Sequence, residues 1–366
     1  MKTEPLAVET RQPRSNWLRY ILLDWDRTQM ALCLVMIALG ALAPLFIHNA
    51  YYQGIVILAI LYAFMGISWN IVAGFAGQLL IAHISFMAVG AYTTITLLNN
   101  NNVTPWIGIP LAGVTAGLLG LVIALITLRY GLKADYFALF TIALMVALRT
   151  LFLKWQVVGG AMGIGLSLSE PTAYKMIFTS KLPYLYIAIV LLLAGLFLQY
   201  WIYRSKIGKY FMAIREDEAA AAALGVNTSL YKTLAVVISG AMAGIGGGFY
   251  VMYVTYIEPP QVFDLALNVE IIMAAPIIGG LGSLAGPVVG AFLNKPLADL
   301  LRGLLSAERS GASLIVYGLF LVLAILFMPR GLTGVLHDIY LKLRPRWAGA
   351  PTSPAPVTAG DEHHAA

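Results

Sequence analysis

Nine stretches of this chain are apolar over nearly the length that crosses a bilayer. They lie at residues 30–48, 52–73, 79–98, 107–128, 134–153, 184–203, 232–255, 284–305 and 312–329. A helix needs about 20 apolar residues to span the hydrocarbon. A tenth, shorter apolar piece at 266–281 leads into the glycine cluster GGLGSLAG. Composition points the same way: 60% of the 366 residues are hydrophobic and 11% charged, against about 45–50% and about 25% in soluble domains. So few charges could not cover a soluble globule. A cytosolic enzyme, a disordered chain and a nucleic-acid-binding domain are excluded. The expected fold is an all-α polytopic membrane protein of about ten transmembrane helices, one of them short or broken. The single cysteine, Cys33, lies in an apolar run and rules out an intrachain disulfide or a cysteine metal cluster. No cofactor or metal site is expected.

Basic residues set the orientation, because they favour the cytoplasmic side. With the N-terminus inside, the loops 49–51, 99–106 and 256–265 fall outside, and none holds Lys or Arg. Segments 129–133 and 204–227 then fall inside, with Arg129, Lys133, Arg204, Lys206, Lys209 and Arg215. The 154–183 loop is the exception, outside yet carrying Lys154, Lys175 and Lys181. Arg330, Lys342, Arg344 and Arg346 place the C-terminus inside, which requires an even number of crossings and selects ten. Three regions follow: a cytoplasmic segment 1–28, a membrane domain 29–335 and a cytoplasmic tail 336–366. The end of the tail, rich in Pro, Ala and Thr, is expected to be disordered, with His363 and His364 solvated. The run 30–47 is longer than a signal-peptide core of about 7–15 residues, so it reads as a retained helix.

Small residues recur every fourth position, at Gly240, Gly244 and Gly248 and again at Gly282, Gly286 and Gly290. On a helix this spacing leaves a flat groove for close packing, which is the preferred reading over flexibility for gating. The cytoplasmic loop 205–227 is the most informative segment. Ala213 to Leu224 are strong helix formers. Glu216, Asp217 and Glu218 are expected in the first turn, where negative charge suits the helix dipole. Gly225 stands where a terminating glycine belongs, and Asn227 or Thr228 can cap the next helix. A helix this short is unstable alone and needs a partner surface. Ile214, Arg215, Glu216, Asp217, Glu218, Ala219, Ala222 and Gly225 are the candidate contact residues.

The run AIREDEAAAAALGVN resembles the conserved cytoplasmic loop of ABC importer permeases. Four further segments extend the resemblance: AGQLLIAHISFMAVGAYTT (76–94), GGAMGI (159–164), GGLGSLAGPVVGA (279–291) and FMPRGLTG (327–334). In this order, over roughly residues 30–340, they resemble the LivM-type permease subunit of branched-chain amino-acid importers. Two departures stand out. Leu80-Ile81-Ala82 precede His83 where the family has Ser-Leu-Gly, and Asn294-Lys295-Pro296 interrupt a segment that is usually apolar.

The resemblance implies a set of partners: a second, LivH-type permease subunit, two ABC ATPase subunits, a periplasmic substrate-binding protein and the surrounding bilayer. It implies that residues 213–225 form a coupling helix seated on one ATPase. The chain has no G-x-x-x-x-G-K-[ST] motif, so ATP hydrolysis would belong to another chain. Gln78, His83, Ser85 and Tyr92, polar residues on or near one helix, are candidates for the translocation path. So are Glu270 and the loop residues Gly159, Gly160, Met162 and Gly163, placed outside where a binding protein would dock. His83 reads first as a helix-packing hydrogen-bonding residue and second as a substrate contact. Lys295 and Asp299 are spaced to pair along a helix. Branched-chain or other neutral amino acids lead as substrates, with urea or short amides second. The rival reading is an ion-coupled secondary transporter; a membrane-embedded enzyme ranks last, for want of a catalytic motif.

Overall fold

The computed structural model describes residues 28–42, 49–131, 134–166, 172–305, 310–328 and 331–336. The expectations for segment 1–28 (apart from Thr28), for Lys133, for Arg330 and for the tail beyond Leu336 lie outside the described residues.

Helices dominate, as the bilayer requires of a chain that must satisfy its backbone internally. In order they are α1 Thr28–Leu42, α2 Ala50–Trp69, α3 Ile84–Asn101, α4 Pro105–Arg129, α5 Ala134–Lys154, α6 Leu182–Arg204 and α7 Lys206–Glu216. There follow α8 Glu218–Ala223, α9 Thr228–Val254, α10 Pro259–Val262, α11 Leu265–Asn268, α12 Ala274–Gly279, α13 Gly286–Leu305 and α14 Ser310–Phe327. The described strands are two residues each, β1 Ile164–Gly165 and β2 Tyr256–Ile257, paired antiparallel. The architecture is thus all-α apart from this small ladder.

Among the described residues, six helices are long and apolar enough to cross a membrane: Ala50–Phe75, Pro105–Thr127, Tyr136–Lys154, Leu182–Arg204, Thr228–Val254 and Ile315–Leu336. α1 and the stretch Leu265–Gly279 are apolar but shorter. α3 and α13 have the length but carry polar groups, three Asn and three Thr in α3, and Lys295, Asp299 and Arg302 in α13. The piece expected to be short or broken is both. α11 and α12 are joined through a π-helical turn, Val269–Met273, and Pro276 just beyond it brings no backbone donor. α2 likewise ends in a π segment, Asn70–Phe75.

Two expectations need correction. The apolar run from residue 79 does not begin a helix there, since α3 starts only at Ile84. Gly77 takes φ +68, Gln78 N–H reaches back to Val72 O (2.9 Å), and the Trp69 indole donates to Leu80 O (2.8 Å). Side-chain and turn bonds thus claim the backbone that a helix would have used. Gly282 is the second case. It lies in the turn between α12 and α13 with φ +79, so it is no part of a helical stripe.

Gly244 and Gly290 of those stripes, and Gly247 beside the first, pack backbone on backbone. A Cβ on Gly244 would strike Ala112 O, one on Gly247 would strike Met87 O, and one on Gly290 would strike Ala275 O. α3, α4 and α9 are thereby drawn into one dense layer. α2 packs beside it, with Ile57, Ile60, Met65 and Ile67 fully buried.

The loops sort to two ends. One end joins Arg215 to Gly74 (2.6 Å), Asn70 to Ser283 (2.9 Å), Gln29 to Leu284 (2.9 Å) and Thr333 to Gly279 (2.8 Å). The other joins Lys181 to Ala50 (2.9 Å), Asn99 to Gly165 (2.9 Å), Trp106 to Ala173 (3.0 Å) and β1 to β2. Loops expected on the same side therefore touch one another. Lys181, one of the charges that broke the orientation pattern, is held by a neighbouring carbonyl and stands 6.0 Å from the Tyr253 ring.

Candidate functional site

The loop 205–227 folds as two helices rather than one. Asp217 breaks the expected helix: its backbone is extended (φ −157, ψ 108) and its carboxylate accepts from Ala220 N–H at 2.9 Å. It is the N-cap of α8. Glu216 is consequently the last residue of α7, not part of a first turn, and Glu218 opens α8. An aspartate gains more by capping than by occupying a helix interior, which the alanine run concealed. The C-terminal half agrees with expectation. Gly225 takes φ +84, Val226 N–H bonds to Ala221 O (3.1 Å) and Gly225 N–H to Ala222 O (2.9 Å), the Schellman pattern. Asn227 caps α9 through Leu230 N–H (3.0 Å).

Each face of this element has a distinct role. Ile214 and Phe211 of α7 and Ala221 of α8 are buried against the bundle. Ala219, Ala222 and Gly225 are exposed, and Leu224 is 86% exposed. Glu218 is ion-paired with Lys232 in the first turns of α9. Arg215 turns inward to Gly74 O and also bonds Glu216 (2.7 Å). The loop therefore offers a small apolar tip on a charged, doubly anchored base.

A second candidate row runs along α3. Ser85, Tyr92 and Thr96 are seven and eleven residues apart, so at about 100° per residue they share one face over about 16 Å. Each carries a buried hydroxyl with no hydrogen-bond partner among the described residues. Buried polar groups are ordinarily satisfied, so this row marks a line where a polar guest could be met. The Tyr92 ring packs on Phe152 of α5 at 4.7 Å, and Phe152 on Phe263 at 5.2 Å. Gln78 precedes the row with its own buried, unpaired Nε2.

His83 immediately precedes α3, and its side chain makes no capping bond to it. Its Nε2 lies 3.0 Å from Ser68 Oγ, and Ser68 gives its single proton to Met65 O (2.7 Å). The imidazole must therefore donate from Nε2, leaving Nδ1 as an unpaired acceptor. The helix-packing reading of His83 fits this bond to α2. Asn268, which sequence reasoning missed, clamps the same place: its Oδ1 accepts from Ile84 N–H (2.8 Å) and its amide donates to Ile81 O.

Glu270 belongs to a different cluster. It is only 5% exposed and pairs with Arg302 through one oxygen, while Oε1 has no partner among the described residues. Asn294 donates to Glu270 O (3.0 Å) and accepts from Tyr317 OH (2.9 Å). The expected Lys295–Asp299 pair forms at 2.7 Å, with the ammonium 5.4 Å from the Tyr62 ring. Glu258, Asp264, Glu270, Arg302 and Tyr317 are among the residues that line a groove of about 630 Å³. Hydrogen bonds and ion pairs tie Glu270 to α13, not to the α3 row.

The Gly159–Gly163 loop lies at the end opposite Arg215. Gly159, Gly160 and Gly163 all have positive φ, and Tyr256 OH donates to Met162 O (2.6 Å). The Met162 side chain is left 86% exposed. Asn70, Lys232, Asn268 and Arg302 were not singled out from the sequence; the bonds Asn70–Ser283, Asn268–Ile84 and Arg302–Glu270 join residues far apart along the chain, and Lys232 is fourteen residues from Glu218. Among the described residues, no group of three or more His, Cys, Asp or Glu is placed to hold a metal ion.

Comparison with known proteins identifies the kind of molecule. The family model described as branched-chain amino acid transport system / permease component matches residues 51–325. The chain is 27% identical over 334 residues to the high-affinity branched-chain amino acid transport system permease protein LivM of Escherichia coli K12, covering 85% of this chain and 76% of that protein. It is 26% identical over 266 residues to the probable branched-chain amino acid transport permease protein LivH of Methanocaldococcus jannaschii, covering 69% and 81%. A nucleoside ABC transporter permease protein, NupC of Lactococcus lactis, is 26% identical over 181 residues, 45% of this chain and 55% of that protein. No solved structure matches. The match over residues 51–325 takes in most of the chain, which therefore belongs to the family of branched-chain amino acid transport permease components.

Proposed function

We propose that the chain is the inner-membrane permease subunit of an ATP-driven importer of branched-chain or related neutral amino acids. It would cross the membrane ten times with both termini in the cytoplasm, pair with a second LivH-type permease, and receive substrate from a periplasmic binding protein. The ten crossings would be α1, α2, α3, α4, α5, α6, α9, the broken α11–α12 stretch, α13 and α14. The contacts that gather residues 50, 99, 165 and 256 at one end and residues 74, 215 and 283 at the other support alternating crossings.

The observation that carries the ATP-driven reading is the capped loop 205–227, with its exposed alanines and Leu224 on anchored helices. An ATPase groove would take this tip, and the chain itself offers no nucleotide-binding loop. The α3 row, Gln78, Ser85, Tyr92 and Thr96, would line the path, and Met162 would face the binding protein. Glu270, held by Arg302, would border the path rather than relay protons.

The decisive experiment is reconstitution into liposomes with the second permease, the ATPase and the binding protein. Uptake should require ATP and all partners. Uptake by the chain alone, driven by an ion gradient, would establish the secondary transporter instead. Reporter fusions at residues 101 and 340 should report opposite sides, outside and inside.

A further inference from the structure

We propose that Arg215 is the strap through which movement of the docking loop enters the membrane bundle. This rests on reading residues 205–227 as the ATPase-docking element. Arg215 sits in the last turn of α7, and its side chain points away from the exposed tip of α8 toward the bundle. Nη1 donates to Gly74 O at 2.6 Å, while Nε and Nη2 hold Glu216 Oε1 at 3.2 and 2.7 Å. The Gly74 carbonyl lies in the final turn of the π segment that ends α2. A cation there meets the negative end of the helix dipole as well as a carbonyl.

Three glycines make room for this side chain and its neighbours. A Cβ on Gly77 would lie 2.7 Å from Arg215 Cγ, and one on Gly282 would lie 2.8 Å from Nη1. A Cβ on Gly74 would come within 2.7 Å of Gly282 N. Gly282 N–H donates to Asn70 Oδ1 (2.7 Å), and Asn70 Nδ2 donates to Ser283 O (2.9 Å). The guanidinium therefore rests on the junction of two interrupted membrane segments, the π end of α2 and the α12–α13 turn.

This geometry separates docking from transmission. The exposed tip, with Ala219, Ala222 and Leu224, lies on α8 beyond the Asp217 break. Arg215 lies before that break and contacts α2 and the glycine turn. A pull on α8 passes through the capped Asp217 junction to α7, and the bidentate hold on Glu216 keeps the guanidinium moving with α7. Gly74 and Gly282 then follow, at the two places where α2 and the α12–α13 connection depart from regular helix and yield most readily.

The test uses the complete transporter in proteoliposomes, comparing wild type, R215A, R215K and the control K209A, an exposed residue on the same helix. ATPase binding, ATP hydrolysis and substrate uptake are measured on each sample. R215A should keep ATPase binding and hydrolysis near wild type while uptake falls about tenfold, the size of an ordinary coupling between sites. R215K keeps the charge but loses the planar fork, so uptake per ATP should be intermediate. K209A should match wild type. Parallel loss of binding and uptake in R215A would place Arg215 in the docking surface and overturn the strap, as would unchanged uptake. Should R215A fail to purify, R215K decides: wild-type uptake per ATP in that variant overturns the proposal. A wild-type complex that transports without ATP would sink the underlying reading instead, a distinct result.

Discussion

Replacing Asn268 by alanine removes one side chain and orphans two backbone groups. Ile84 N–H loses its 2.8 Å acceptor and Ile81 O loses its donor, both at the point where α3 begins. An orphaned buried backbone group costs about 1–3 kcal/mol. Ile84 is fully buried, so its share falls at the upper part of that range; Ile81 is only partly buried and its carbonyl can find another donor. A total of about 3 kcal/mol follows for N268A. At about 2–4 °C per kcal/mol, that is a fall of about 6–12 °C in the apparent melting temperature of the detergent-purified protein. N268D keeps the acceptor for Ile84 but sets a buried carboxyl group against Ile81 O, which must be protonated or stand as an unpaired charge, so its shift should be no smaller than that of N268A. Because Asn268 fixes the start of the helix that carries Ser85, Tyr92 and Thr96, uptake in the reconstituted complex should fall with stability. A melting temperature unchanged in N268A, or N268D at wild-type stability, would refute the two-bond reasoning.

Further perturbations test other parts of the structure. G290V drives a side chain into Ala275 O, where only backbone could move aside, and should abolish monodisperse protein on size exclusion. G303V, where nothing lies within 4 Å, should leave it intact. E218K replaces the Lys232 ion pair with two like charges, and G225V forces a β-branched residue to φ +84. Both should remain in the membrane yet lose ATP-driven uptake; normal uptake in both would leave residues 205–227 as an ordinary loop. R302A strips the buried Glu270 carboxylate of its cation and should destabilise by about 1–3 kcal/mol, less than a fully buried pair because Arg302 is partly exposed. The double variant R302A/E270Q should recover most of that loss in a thermal unfolding assay.

The helices best legible in the sequence are those whose cause is local. α2, α4 and α9 follow from apolar length, and Gly225 and Asn227 from turn and cap chemistry that needs only neighbouring residues. Asp217 shows where local reasoning slips: helix propensity summed over the alanine run outweighed the preference of one aspartate for a cap. The late start of α3 fails for another reason, since the apolar residues 79–82 carry no trace of the indole and asparagine bonds that hold them. Arg302 could not be assigned to Glu270 from sequence, because the partners are 32 residues apart and meet only through packing of α13 on the α11–α12 stretch. Thr96 could have been found, since it repeats the face of Ser85 and Tyr92 at helical spacing.

The dense layer of α3, α4 and α9 has a mechanical consequence. Where glycine α-carbons rest against carbonyl oxygens, as at Gly244 and Gly247, there is no soft side-chain stratum to absorb a push. α9 is 27 residues long, about 40 Å of rigid rod. One end carries Lys232, clasped by Glu218; the other runs into Thr255, whose carbonyl accepts from Leu166 N–H at 2.8 Å, and Tyr256, which grips Met162. α9 thus links the α8 end to the Gly159–Gly163 loop through one continuous helix. The contacts at the two ends of the chain's longest described helix are held at a fixed separation by a rod seated on a glycine seam.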